Sequence, residues 1–250
     1  MREERMADII AGRQPVLEAL RAGRPINRLL VAQDGGRHSL VAEILHLAQA
    51  ARTPVDFVSR PVLDQVSRNA VHQGVVAYVA AKEYLSLHEL VALSQERGEP
   101  PFYCILDGLE DPQNFGAILR TCCATGVHGV VTGMRRAVGL TTAVSKASAG
   151  AIEYVPVARV GNIAQCIGEL QWRNVSVVGI DAGGAATYAE VDYTAPVAIV
   201  IGGEGRGLSD LVRRRCDAVV RIPMRGAINS LNASVAAAIV LYEVYRQRGW

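Results

Sequence analysis

The chain has 250 residues, half of them apolar and a fifth charged, with a formal net charge of +2. That is enough for one large or two modest globular domains and excludes a disordered or low-complexity protein. No apolar run approaches the roughly 18 residues of a membrane span, the opening "MREERMADIIAGRQ" lacks the apolar core of a secretory signal, and five cysteines without CxxC spacing exclude a disulfide framework or a zinc-finger pattern.

A cytoplasmic protein is therefore expected. The near-neutral charge argues against a generally basic nucleic-acid coat and leaves room for a local patch. Only Lys82 and Lys146 of the 26 basic residues are lysine. Guanidinium suits phosphate, although genome composition produces the same bias.

From Ala11 to Ala80 the pattern alternates: helix "RQPVLEALRAG", strand "RLLVA", helix "SLVAEILHLAQAA", strand "VDFV", a short helix and strand "GVVAYVA". This predicts a small α/β unit. The stretch "AKEYLSLHELVALSQERGEPP" carries more acid than base and ends in a turn-forming cluster, which places a boundary near Pro100. Beyond it, "FYCILD", "HGVVTG", "VSVVGID" and "VAIVIGG" read as interior strands separated by helices, the signature of a parallel sheet covered on both faces. Such sheets bind ligands beyond the carboxyl ends of their strands.

Three polar clusters follow strands. In "LDGLEDPQNFGAILRTCCATG", Asp111 reads as an N-cap before Pro112, Asn114 lies in the first turn and Arg120 is expected to reach back to the helix mouth. In "VAIVIGGEGRGLSD", glycines 202, 203, 205 and 207 allow close backbone approach. Leu208 breaks GxGxxG, no GK[ST] follows, and Glu204 would repel a pyrophosphate while suiting a cationic or hydroxyl-bearing ligand. In "RIPMRGAINSLNASVAAAIVLYEVYRQRG", Leu231, Val235, Ala238, Ile239 and Tyr242 repeat at helical spacing from a start near Ser230. One cap needs one polar residue. Asn229, Ser230, Asn232 and Ser234 exceed that need and point to a ligand pocket.

"DPQNFGAILR", "IGGEGRGLS" and "IPMRGAINSLNASVA", in this order, resemble the three motifs of the SpoU/TrmH family of RNA ribose 2'-O-methyltransferases in the SPOUT superfamily. "KASAGAIEYVPV", "IAGRQPVLEAL" and "HQGVVAYV" extend the resemblance over nearly the whole chain. It implies an α/β protein with an L30e-like RNA substrate-binding domain at 1–81, a linker at 82–100 and, at 101–250, a parallel-sheet methyltransferase domain of the α/β-knot class, a deep trefoil. It implies S-adenosylmethionine held by Gly202, Ile222 and Leu231, with Thr132 and Gly133 after the second strand. Asn114, Glu204, Ser230 and Asn232 are then expected to position the nucleotide, with Arg120 the principal catalytic residue. A guanidinium with pKa above about 12 makes a poor base, so Arg120 is expected to bind phosphate and stabilise the forming alkoxide.

The motifs most resemble enzymes acting on a guanosine ribose in bacterial 23S rRNA. A tRNA substrate and a non-catalytic ribosome-assembly protein are the alternatives, and the missing GxGxxG weakens a dinucleotide-binding oxidoreductase. A homodimer is implied, with Val244 and Tyr245 of the last helix as contact or core. Neither metal nor membrane is expected.

Overall fold

The structure, a computed structural model, describes residues 8–34, 38–68, 70–226 and 230–249. In chain order it contains β1 (Asp8–Ala11), α1 (Arg13–Arg21), β2 (Ile26–Ala32), α2 (Ser39–Ala50), β3 (Val55–Val58), α3 (Arg60–Val66), β4 (Val75–Val79), α4 (Leu87–Gln95), β5 (Phe102–Asp107) and α5 (Pro112–Ala124). There follow β6 (Gly129–Gly133), α6 (Thr142–Ala147), β7 (Val157–Val160), α7 (Ile163–Trp172), β8 (Ser176–Ile180), β9 (Ala186–Thr187), β10 (Val197–Gly202), α8 (Asp210–Arg215), β11 (Ala218–Arg221) and α9 (Ala233–Gln247). They form two compact units, Met1–Glu83 with Leu140–Tyr154 and Tyr84–Gly139 with Val155–Trp250.

The first unit holds a four-stranded sheet in the order β1-β4-β2-β3. Residues Leu29 to Ala32 are all buried because the strand is covered on both sides: Leu29 and Val31 pack with Val16, Leu17 and Ile44, while Leu30 and Ala32 pack with Leu63. The segment 140–154 completes this unit. α6 lies against β1, and Thr142 donates its hydroxyl to the Ile9 carbonyl at 2.8 Å. Glu153 is buried between Arg24, 2.7 Å away, and Lys82, whose ammonium also donates to the Ile152 carbonyl. Burial pulls the Lys82 pKa below its usual value and Glu153 opposes that shift.

The second unit is built on a seven-stranded sheet, β7-β6-β5-β10-β8-β11-β9, with every neighbouring pair parallel. The near-continuous apolar strands β5 and β10 sit at its centre, covered on one face by α4, α7 and α8 and on the other by α5 and α9. Residues 82–100, expected as a connector, carry a packed element. Ser86 and Glu89 form a capping box at the start of α4, and Leu90 is fully buried where a side chain on Gly129 would place its Cβ 2.2 Å from Leu90 Cδ1. Val244 belongs to the core between α9 and the sheet.

β8 and β9 are joined by a short connection, yet β11 lies between them. That connection therefore crosses β11 closely: Ala185 N donates to the Val219 carbonyl at 3.1 Å, and a Cβ on Gly184 would fall 2.4 Å from the Val220 carbonyl carbon. This lateral order, with a later strand placed between two earlier ones, is a non-sequential arrangement that the apolar pattern of the strands does not specify.

Candidate active site

The carboxyl ends of β8, β10 and β11 and the start of α9 enclose a cavity of about 540 Å³. The turn after β10 folds onto itself. Gly207 N donates to the Gly203 carbonyl at 3.1 Å, and a Cβ on Gly202 would sit 2.2 Å from the Gly207 carbonyl carbon and 2.5 Å from Leu208 N. Gly205 and Gly207 have φ of 73° and 64°, the left-handed region glycine enters freely. At its glycines the turn presents backbone to the cavity, and between them Glu204 and Arg206 add side chains to the lining.

Three motifs converge on Asn114. Asp111 caps α5 by accepting from Gln113 N at 3.2 Å and Asn114 N at 3.1 Å, which fixes the first turn over the sheet end. The buried Asn114 amide donates through Nδ2 to Glu204 Oε1 and accepts through Oδ1 from Asn232 Nδ2 at 2.9 Å. Asn232 is itself the N-cap of α9, its Oδ1 accepting from Ser234 N at 2.9 Å and Val235 N at 3.4 Å. The relay has one sense: backbone N–H groups at α9 only donate, a carboxylate at Glu204 only accepts, and each amide between them must turn accordingly. Asn232 therefore both caps the helix and holds the site, while Ser234 donates its hydroxyl to Asn232 Oδ1 at 2.6 Å. α9 begins at Ala233 rather than near Ser230, because the capping oxygen belongs to Asn232.

Gly202, Glu204, Ile222, Ser230, Leu231 and Asn232 all line the cavity. Asn229 lies outside the described residues. Thr132 and Gly133 do not join them. β6 is separated from β10 by β5, Thr132 is buried within its strand, and Gly133 borders a different hollow of about 220 Å³ with Asp107 and Ser209. Ile180, Asp181 and Ala182, unmarked by the motifs, supply the cavity wall instead. Their signal was "VSVVGID": a buried strand whose carboxyl end carries an acid and then glycines. Asp181 accepts from Gly183 N at 2.8 Å and pairs with Arg213 at 3.3 Å.

Arg120 also departs from expectation. Six residues beyond Asn114, at 3.6 residues per turn, it is rotated by about 240° around α5 and points away from the relay. It is exposed, borders none of this cavity and makes no hydrogen bond or ion pair among the described residues.

The cavity suits a zwitterionic nucleoside sulfonium in size and in the chemistry of its lining. Its volume lies within the ~300–1,000 Å³ of small-molecule sites. Ile201, Ile222, Leu231 and Ala236 offer apolar walls, the glycine turn offers backbone groups, and Asp181, Glu204 and Arg206 offer both signs of charge. Among the described residues, no group of three or more His, Cys, Asp or Glu side chains is placed to hold a metal ion.

Comparison with known proteins identifies the family. The family model described as the SpoU rRNA Methylase family matches residues 101–242, and that for RNA 2'-O ribose methyltransferase substrate binding matches residues 9–85. YacO of Bacillus subtilis (strain 168), named for the TrmH family of tRNA/rRNA methyltransferases, is 45% identical over 241 residues, 96% of each chain. The SpoU methyltransferase AviRb from Streptomyces viridochromogenes, solved with the cofactor AdoMet (S-adenosylmethionine), superposes with a TM-score of 0.82 at 28% identity, covering 97% of this chain and 91% of that one. The AdoMet-bound rRNA methyltransferase from Sinorhizobium meliloti gives 0.79 at 28% identity, covering 98% and 89%.

Proposed function

Because the chain belongs to the SpoU rRNA methylase family and is an S-adenosylmethionine-dependent RNA methyltransferase, we propose that it methylates the 2'-hydroxyl of a guanosine ribose in bacterial 23S rRNA. The observation that carries this reading is the relay from Asn232 through Asn114 to Glu204, closing on a cavity suited to the donor. An RNA-binding protein without chemistry has no use for a carboxylate held in this way at a donor pocket. The resemblance of "DPQNFGAILR", "SAGAIEYVPV" and "IPM" to the rRNA enzymes supports the substrate, as does the substrate-binding match over the first unit.

Bound S-adenosylmethionine supplies a methyl activated by its sulfonium. The chain's own tasks are alignment and removal of the hydroxyl proton. Gly202, Ile222 and Leu231 hold the donor's position at the base of the cavity. Asn114 holds one oxygen of Glu204 and leaves the other to accept the proton of the ribose hydroxyl. Ser230 and Asn232 fix the ribose at the rim.

Arg120 binds an RNA phosphate from outside the cavity of its own chain. α5 packs against α9, whose exposed Val235 and Tyr242 form the surface on which we place a homodimer contact. The first unit acts as the L30e-like RNA-engaging body, and the working compartment is the cytoplasm.

The test is nucleoside analysis of 23S rRNA transcripts incubated with enzyme and donor. The expected product is 2'-O-methylguanosine at one position. A base-methylated nucleoside, or methylation confined to tRNA added to the same reaction, overturns the assignment.

A further inference from the structure

Trp172, at the end of α7, is 81% exposed, the highest value among the exposed large apolar side chains of the described residues. Tryptophan is ordinarily buried over most of its surface. Leu211 on α8 is 48% exposed, and it and Trp172 line the same groove of about 500 Å³ between the two helices. The groove is basic as well as apolar. The Arg173 guanidinium stands 5.8 Å from the Trp172 ring centroid, Arg215 lines the wall, and Arg214 beside it is exposed. Gln171 holds α7 to the end of α8 by donating to the Arg215 carbonyl at 2.8 Å.

The groove leads somewhere. It shares Asn162, Ala164 and Leu211 with the 220 Å³ hollow that reaches Arg135 and Ser209. Ser209 N donates to the Asp107 carboxylate at 2.8 Å, and the Asp107 carbonyl accepts from Gly203 N at 2.9 Å, so this hollow abuts the glycine turn of the candidate active site. Two carboxylates lie along the path. Asp107 is engaged by Ser209, and Glu169 accepts from Gln165 Nε2 at 3.4 Å. Arg135, Arg173 and Arg215 line the path against these two, and outside the lining Arg214 is flanked by Asp210 and by Asp217, which accepts from Gln171 Nε2 at 2.9 Å.

We propose that this groove is an RNA-binding surface for an unpaired segment of the substrate. One base stacks on Trp172, the phosphates lie on Arg173 and Arg215, and the strand runs toward the glycine turn. An exposed aromatic flanked by guanidinium groups is the arrangement that binds single-stranded nucleic acid, since every base has a face to stack and every linkage a charge. The proposal rests on the reading that the substrate is RNA.

The test uses full-length protein carrying Trp250→Phe, which leaves Trp172 as the only tryptophan of the two. Titration with a short oligouridylate should quench Trp172 fluorescence, saturably and less strongly at higher salt. Trp172→Ala should raise KM for substrate RNA about tenfold, in line with one lost stacking contact, with kcat and donor affinity unchanged. Trp172→Phe should restore most of the affinity, and Arg173→Ser with Arg215→Ser should reduce the salt dependence. Fluorescence indifferent to RNA, or a Trp172→Ala KM equal to wild type, overturns the groove as an RNA site and points to a protein partner. Quenching by RNA in a protein that transfers no methyl would sink the enzymatic reading and keep the surface.

Discussion

An asparagine held between a carboxylate and a second amide has no freedom to turn over, and that constraint defines the site at the residue scale. Asn114→Ala removes the donor that positions Glu204 and leaves the Asn232 amide unpaired. Losing one preorganised polar contact typically lowers turnover by about 10²-fold or more, and methyl transfer at saturating donor should fall by that order while donor affinity changes little. Gly202→Ala acts differently. Its Cβ would overlap backbone atoms of Gly207 and Leu208, which cannot swing aside as a flexible side chain can. The variant should lose more than about 2 kcal/mol of stability in urea unfolding, together with donor binding. Asn114, Glu204 and Asn232 were legible because their motifs combine an unusual density of polar groups with strand ends and helix starts. The direction of Arg120 was not: distance along the helix axis sets its reach, but rotation around that axis decides which way the side chain faces.

Strands and helices show the same division between local and non-local information. The buried strands β5, β6, β8 and β10 could be read from their apolar runs. Their lateral order could not, because β10 enters between β5 and β8 and β11 between β8 and β9. That order is what separates Thr132 and Gly133 from the cavity beside the glycine turn and places Ile180 to Ala182 in its wall.

The entry to β5 carries a pH-sensitive joint. His128 is buried, its Nδ1 accepting from Phe102 N at 3.2 Å, and its Nε2 lies 3.5 Å from Glu99. Burial holds its pKa below the ordinary value, Arg97 and Arg248 push the same way, and Glu99 opposes them. A histidine kept neutral by the fold contributes stability that is complete above its unfolded pKa of about 6.5 and is lost as pH falls through the lower folded value. Urea unfolding of the wild type should therefore show lower stability at pH 5 than at pH 7.5. His128→Asn, which retains an acceptor for Phe102 N, should flatten that difference, and an unchanged slope would remove His128 as its source.

At the scale of the whole molecule, the segment 140–154 lies within the methyltransferase part of the sequence and belongs by packing to the first unit. The resemblance marked this stretch as a motif, but local pattern carried no sign of which body it joins. Glu153, buried against Arg24 and Lys82, is one of the contacts that tie it there. Breaking a buried ion pair from one side costs about 3–5 kcal/mol because the remaining charges lose their partner. Glu153→Gln should destabilise the first unit by about 3 kcal/mol, measured by hydrogen exchange at β1 and β4, while donor affinity stays at the wild-type value.

The destination of the methyl group separates the substrates most directly. Labelled methyl from S-adenosylmethionine should be offered to unmodified 23S rRNA and tRNA together, with wild-type enzyme and Asn114→Ala. Label in 23S rRNA with the wild type, reduced about 10²-fold in the variant, is the expected result. Label in tRNA alone, or undiminished transfer by Asn114→Ala, would contradict it.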